Sequence, residues 1–148
     1  NFVVNPSFED ADTSMWKVTY NGKKNPTDYQ VNEKDANSGQ TAFHFWSADD
    51  MDFSIEQVVT GLEPGTYELS AFSQGGDMLS SAVLELYAAA DGQEYTQSFE
   101  LTGYAEWKEP TVTKIKLTGD SMVIGVRMKC NGGSWGTVDD FTLNRIGD

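Results

Sequence analysis

Leu62-Glu63-Pro64-Gly65-Thr66-Tyr67-Glu68-Leu69-Ser70-Ala71-Phe72 is the stretch that decides the fold. Glu63-Pro64-Gly65 is turn chemistry. Beyond it Tyr67, Leu69 and Ala71 alternate with Glu68, Ser70 and Phe72, the period-two pattern of a strand with two unlike faces. The same period returns in Met122–Cys130, where Met122, Ile124, Val126 and Met128 oppose Val123, Gly125, Arg127 and Lys129. Trp135–Arg145 closes the chain with Phe141 and Leu143 on one face, and Val83, Leu84, Leu86 and Tyr87 fit a strand at least as well as a helical stripe. Further strands are expected at Phe2–Val4, Trp16–Tyr20, Ala42–Ser47, Phe53–Thr60, Tyr95–Leu101 and Thr111–Leu117. Asn21-Gly22, Gly75-Gly76-Asp77, Asp91-Gly92, Gly119-Asp120 and Asn131-Gly132-Gly133 punctuate them with turns. The polar stretch Gly22–Gly39 reads as a long loop with one short strand around Tyr29. About eight to eleven short strands with no convincing helix predict an all-β antiparallel sandwich or jelly roll. With no repeat or linker, residues 1–148 read as one domain.

Ten basic and 23 acidic residues give the 148-residue chain a net charge of −13, which excludes nucleic acid and an anionic membrane surface as natural partners. It also disfavours a polyanionic substrate and favours a monomer. Four Trp, six Tyr and eight Phe suffice for a core and leave rings for a surface. Cys130 is the only cysteine, so no intrachain disulfide forms, and it reads as a small buried hydrophobe. No apolar run approaches the ~20 residues of a membrane helix. The chain begins at Asn1 without Met and reads as an excised module or a mature fragment.

Asn5-Pro6-Ser7-Phe8-Glu9 followed by Trp16, then Ser38-Gly39-Gln40-Thr41-Ala42, then the Pro64-Gly65-Thr66-Tyr67 strand and Val138-Asp139-Asp140-Phe141-Thr142-Leu143, fall in one order. That order resembles the carbohydrate-binding modules of the galactose-binding-like jelly-roll superfamily. His44-Phe45-Trp46-Ser47, Ser73-Gln74-Gly75-Gly76-Asp77 and Gly133-Ser134-Trp135-Gly136 look most like family 61. That family binds β-1,4-galactan and accompanies endo-β-1,4-galactanases. The resemblance implies a non-catalytic module that brings a linked glycoside hydrolase to plant cell-wall polysaccharide, outside the cell.

The resemblance also implies a structural calcium near the joined chain ends. Its ligands would be Glu9, Asp139 or Asp140, and oxygens around Ser7, Asn37 and Gln40, a hard-oxygen set suited to that ion. Strand parity singles out Asp139, because counting back from Phe141 and Leu143 puts it on the core face, where a bare carboxylate is costly. The plainer reading has Asp139 and Asp140 capping a turn or pairing with Arg127 or Lys129. Asp49, Asp50 and Asp52 form a second acidic run, read as a solvated loop.

A neutral sugar presents an apolar C–H face, which packs on an aromatic ring, and hydroxyls, which bond planar polar groups. If Phe43 and Phe45 point inward, His44 and Trp46 point outward together. Trp135, beside a glycine-rich turn, is the second candidate platform. Gln74, Arg127 and Asn131 join His44 as hydrogen-bonding candidates, while Trp16 and Trp107 read as structural. Three other functions compete. A glycosidase would need two carboxylates across one cleft, for which Glu56, Glu68 and Glu85 are available. A module for another neutral glycan of xylan or β-glucan type, and a protein-binding scaffold module, complete the alternatives.

Overall fold

The computed structural model describes residues 1–22 and 24–148. Its strands are β1 (Lys17–Tyr20), β2 (Thr27–Val31), β3 (Thr41–Trp46), β4 (Met51–Val59), β5 (Gly65–Gly76), β6 (Val83–Ala90), β7 (Gln93–Ser98), β8 (Gly103–Lys108), β9 (Thr111–Leu117), β10 (Met122–Cys130) and β11 (Trp135–Gly147). They form two sheets, ordered β1-β4-β10-β6-β7 and β2-β3-β11-β5-β8, with β9 pairing the first part of β5. Every pairing is antiparallel, and the expected jelly-roll sandwich is the observed architecture.

The alternations read from sequence face the core. Tyr67, Leu69 and Ala71 of β5 are buried, as are Met122, Ile124, Val126 and Met128 of β10. Phe43 and Phe45 point inward, so His44 and Trp46 point outward. Cys130 is buried, and burial raises its thiol pKa, as for a packing residue. Phe2–Val4 is not a strand, although the Phe2 N–H bonds the Leu143 carbonyl. Gln57, inward on β4, fastens that segment by exchanging two hydrogen bonds with the Val4 backbone. β8 went unread in the sequence: none of its residues is buried, three being exposed and three half-buried, so it carries no hydrophobic alternation.

The opening motif is an anchor. Asn5 and Phe8 both adopt left-handed backbone, and the bend drives Phe8 into the core against Trp16, Phe43 and Phe141. Trp16 is buried, with its ring centroid 4.9 Å from that of Phe141 and its indole N–H bonded to the Asn5 carbonyl. With Phe8 inward, Glu9 faces the turn at residues 37–41.

One irregularity corrects the parity argument for Asp139. Val138 pairs with Phe43 and faces the core, so Asp139 next to it faces the opposite way, with Trp135 and Thr137. A β-bulge lies between the pairs Asp139–Phe72 and Thr142–Ser70, with Asp140 in left-handed conformation. The extra residue flips the strand, so that Phe141 and Leu143 point inward on the far side of it. Asp139 is buried not by the core but by the loop over the outer face of the sheet.

Candidate functional site

Two rows of side chains cross the outer face of the β2-β3-β11-β5 sheet. In the first, Trp46 of β3 lies directly opposite Trp135 of β11, which lies opposite Gly76 of β5. In the second, Asp28, His44, Thr137 and Gln74 stand side by side on β2, β3, β11 and β5. Cross-strand partners sit about 5 Å apart, so each row is a continuous surface set by the ladder.

Only part of that surface is open. Trp46 is 54% exposed and Trp135 half-buried. Thr137 and Gln74 are roofed over. The Thr137 hydroxyl donates to the Asp35 carbonyl (2.8 Å), and Gln74 donates to Thr137 (3.2 Å) while accepting from the Ala105 N–H (2.7 Å). Gln74 is therefore on the expected face but spent on holding β8 in place. The Gly75-Gly76 pair does admit a close approach, but by Trp135 itself: a Cβ at Gly76 would stand 3.1 Å from the indole ring.

The walls come from residues the sequence reading missed. Tyr104 of β8 is exposed, with its ring 6.4 Å from that of Trp135 and tilted by 38°. Its hydroxyl donates to the Lys34 carbonyl (2.9 Å), tying β8 to the loop above the sheet. Asp77 accepts the Trp135 indole N–H at 2.9 Å and fixes the ring. Asn131 acts one step back: its amide donates to the Asp77 and Gly132 carbonyls and accepts from the Leu79 N–H, so it shapes the loop that carries Asp77. His44 is half-buried, its Nδ1 2.6 Å from Asp28 Oδ1.

Arg127 is not brought to this site. It lies on β10, in the other sheet, where its guanidinium donates to Glu85 (2.9 Å) and Glu94 (2.5 Å) and covers the Tyr87 ring at 4.9 Å. Those carboxylates hold its pKa above the ordinary arginine value, and it holds that of Glu94 below the usual carboxylate range. The fold commits Arg127 to a surface ion-pair network with Glu85 and Glu94.

The residues implied for a cation do gather. Asp140 Oδ1 accepts from the Ser7 and Ser38 hydroxyls, and Oδ2 accepts from the Asn37 amide. Glu9 accepts the N–H groups of Gln40 (3.0 Å) and Thr41 (2.9 Å). Both carboxylates are thus held by the same turn, which Gly39 lets close: a Cβ there would fall 2.6 Å from the Glu9 carboxyl carbon. Serine hydroxyls and an asparagine amide can each turn an oxygen toward a cation, so this donor set fits calcium. Among the described residues no three of His, Cys, Asp and Glu converge, so an ion here needs these neutral oxygens beside Glu9 and Asp140.

Asp139 is in a different position. Its Oδ2 accepts the N–H groups of Asn37 (2.9 Å) and Ser38 (3.2 Å), and its Oδ1 that of Asp140 (2.9 Å). Burial pushes its pKa up to about 7, the charge of Asp140 adds to this, and the N–H donors pull the other way. It neither pairs with a cationic side chain nor offers a free face, but organises the backbone of the turn.

No protein-family model matches the chain, and no curated protein matches it in sequence. Solved structures do. TmCBM61, crystallised in complex with β-1,4-galactotriose, is 29% identical, with each chain covered over 99% of its length and a TM-score of 0.89. A family 16 carbohydrate-binding module is 17% identical over 98% of this chain and all of its own, TM-score 0.63. The CBM22-1 xylan-binding domain of Xyn10C from Paenibacillus barcinonensis is 14% identical over 96% of this chain and 92% of its own, TM-score 0.62. The last two share the fold. The resemblance to family 61 read from three short segments holds along the whole chain.

Proposed function

We propose that this chain is a non-catalytic module that binds β-1,4-galactan and carries an attached glycoside hydrolase, an endo-β-1,4-galactanase, to plant cell-wall polysaccharide. The observation that carries the reading is the Trp46–Trp135 pair, abreast on the open end of a sheet, in a chain similar over its full length to a galactotriose-bound protein. The two indoles present adjoining apolar platforms for the C–H faces of successive sugar rings. His44 and Asp77 stand beside them for the hydroxyls, and Tyr104 closes one side. Binding a neutral ligand this way is modest in affinity and insensitive to salt. The benefit to a linked enzyme is proximity, since tethering raises the local substrate concentration. The module works as a monomer, outside the cell.

A structural calcium belongs to the same proposal, held by Glu9 and Asp140 with oxygens of Ser7, Asn37 and Gln40. When bound, it supplies positive charge that joins the first and last segments of the chain. What supports this is that the burial of Phe8 turns Glu9, and the β-bulge turns Asp140, toward the same turn.

Titration calorimetry with galactotriose, against xylo- and cello-oligosaccharides, tests the ligand: heat from galactotriose alone is expected, and silence there refutes the galactan reading. Thermal melts with and without chelator test the ion. Calcium should raise the midpoint, by linkage to the folded state, and an unchanged midpoint overturns that part.

A further inference from the structure

We infer that Asp28 is a positioning residue of the sugar site: it holds His44 in the tautomer protonated on Nδ1, leaving Nε2 as an acceptor for a sugar hydroxyl beside the ring stacked on Trp46. This rests on the galactan reading and deepens it. Asp28 and His44 are direct cross-strand partners, so the ladder of β2 and β3 keeps their side chains together. A carboxylate only accepts, so the 2.6 Å contact requires a proton on Nδ1, and in the neutral ring that makes Nε2 the acceptor. Among the described residues Nε2 has no protein partner. The adjacent Thr137 hydroxyl is already committed to Asp35, so it does not compete for the ring. His44 and Trp46 are two residues apart on one face, about 6.6 Å along the strand, within the span of one stacked sugar and its exocyclic hydroxyls.

The consequence for ligand class is specific. The side-chain acceptors beside the platforms are His44 Nε2 and the carboxylate of Asp77, with the Asp28 carboxylate engaged on His44 Nδ1. Of the two indole N–H donors there, that of Trp135 is spent on Asp77, which leaves only that of Trp46 for the ligand. Such a site takes hydroxyl donors and repels carboxylates, so it selects neutral galactan over a galacturonan of similar shape.

Because His44 is the only histidine, two ring-nitrogen signals report it without ambiguity in long-range 1H–15N spectra of labelled protein. With the ring in its neutral form, the expected free-state pattern is a protonated Nδ1 and an unprotonated Nε2, with the Nε2 resonance moving on addition of galactotriose and not on addition of trigalacturonate. Asp28→Leu should mix the tautomers and weaken galactotriose binding about tenfold. Asp28→Asn, whose carbonyl oxygen still accepts from Nδ1, should stay within threefold of wild type. An Nε2-protonated ring in the wild-type protein overturns the inference, as does an Asp28→Leu protein that binds like wild type or loses binding with its tautomer unchanged. If Asp28→Leu fails to fold, the wild-type spectrum and the Asp28→Asn protein still decide. A wild-type protein with the expected tautomer that takes up no galactotriose refutes the galactan reading and leaves the Asp28–His44 assignment standing.

Discussion

Replacing Trp46 with alanine is the most direct test of how the site works. The indole is 54% exposed. A Trp side chain carries about 250 Å² of surface, so roughly 130 Å² of Trp46 faces solvent. A sugar ring covers one face of it, about half, and hides a similar area of its own C–H surface. Roughly 130 Å² is removed from water in all, worth about 3 kcal/mol at 25 cal/mol per Å². Immobilising the sugar offsets part of that, leaving about 2–3 kcal/mol, or roughly 30- to 150-fold in affinity. Trp46→Ala should therefore weaken galactotriose by that factor in titration calorimetry, and Trp46→Phe by less. The fold should be indifferent, because Trp46 points away from the core, so the melting midpoint should move by no more than about 2 °C. Affinity within threefold of wild type, with the melt unchanged, would show that the ligand does not stack here and would move the site elsewhere on the molecule.

Tyr104→Ala removes the exposed ring beside Trp135 and the hydroxyl that ties β8 to Lys34. Galactotriose affinity should drop about five- to tenfold, and calorimetry that finds no change removes Tyr104 from the site. Arg127→Ala should leave affinity within twofold, since the side chain serves the other sheet, and cost at most about 1 kcal/mol of stability in urea melts because its ion pairs are partly solvated. A large affinity loss there contradicts the placement of the site. Gly39→Ala forces a left-handed alanine (φ 59°) against the Glu9 carboxylate, so stability should fall by about 1–2 kcal/mol and the calcium-dependent rise of the melting midpoint should shrink. A calcium response equal to that of wild type detaches Glu9 from the ion.

What the sequence made legible is what one-dimensional periodicity encodes. The inward–outward sorting of β3, β5 and β10 follows from alternation alone, and it placed His44 and Trp46 correctly because Phe43 and Phe45 leave no other arrangement. β8 carries no such signal, and with it Tyr104 and the roof over Gln74 went unread. Asp28 lay in a stretch seen only as loop around one strand. Its value comes from being opposite His44, a relation between strands that neither segment contains by itself. Arg127 failed for the same reason: alternation gives a side chain's face within its own sheet, not which of two sheets the strand joins.

The bulge in β11 shows why this strand can serve two purposes. Without it, a residue sequence that puts Phe141 and Leu143 inward would also put Asp139, Thr137 and Trp135 inward, and the platform would be lost to the core. One extra residue at Asp140 inverts the parity between the two halves. The first half then offers Trp135 to a ligand, and the second half fills the sandwich. The bulge residue itself projects Asp140 toward Ser7, Asn37 and Ser38 at the seam between the chain's opening and closing segments. Platform and proposed ion site are therefore coupled through backbone geometry rather than through contact. The loop that roofs Thr137 is the one whose turn receives Asp139, Asp140 and Glu9. Loosening that turn should disturb the Lys34 carbonyl that Tyr104 grips, so a cation bound there would act on sugar affinity only through the order of this loop and never by touching the sugar.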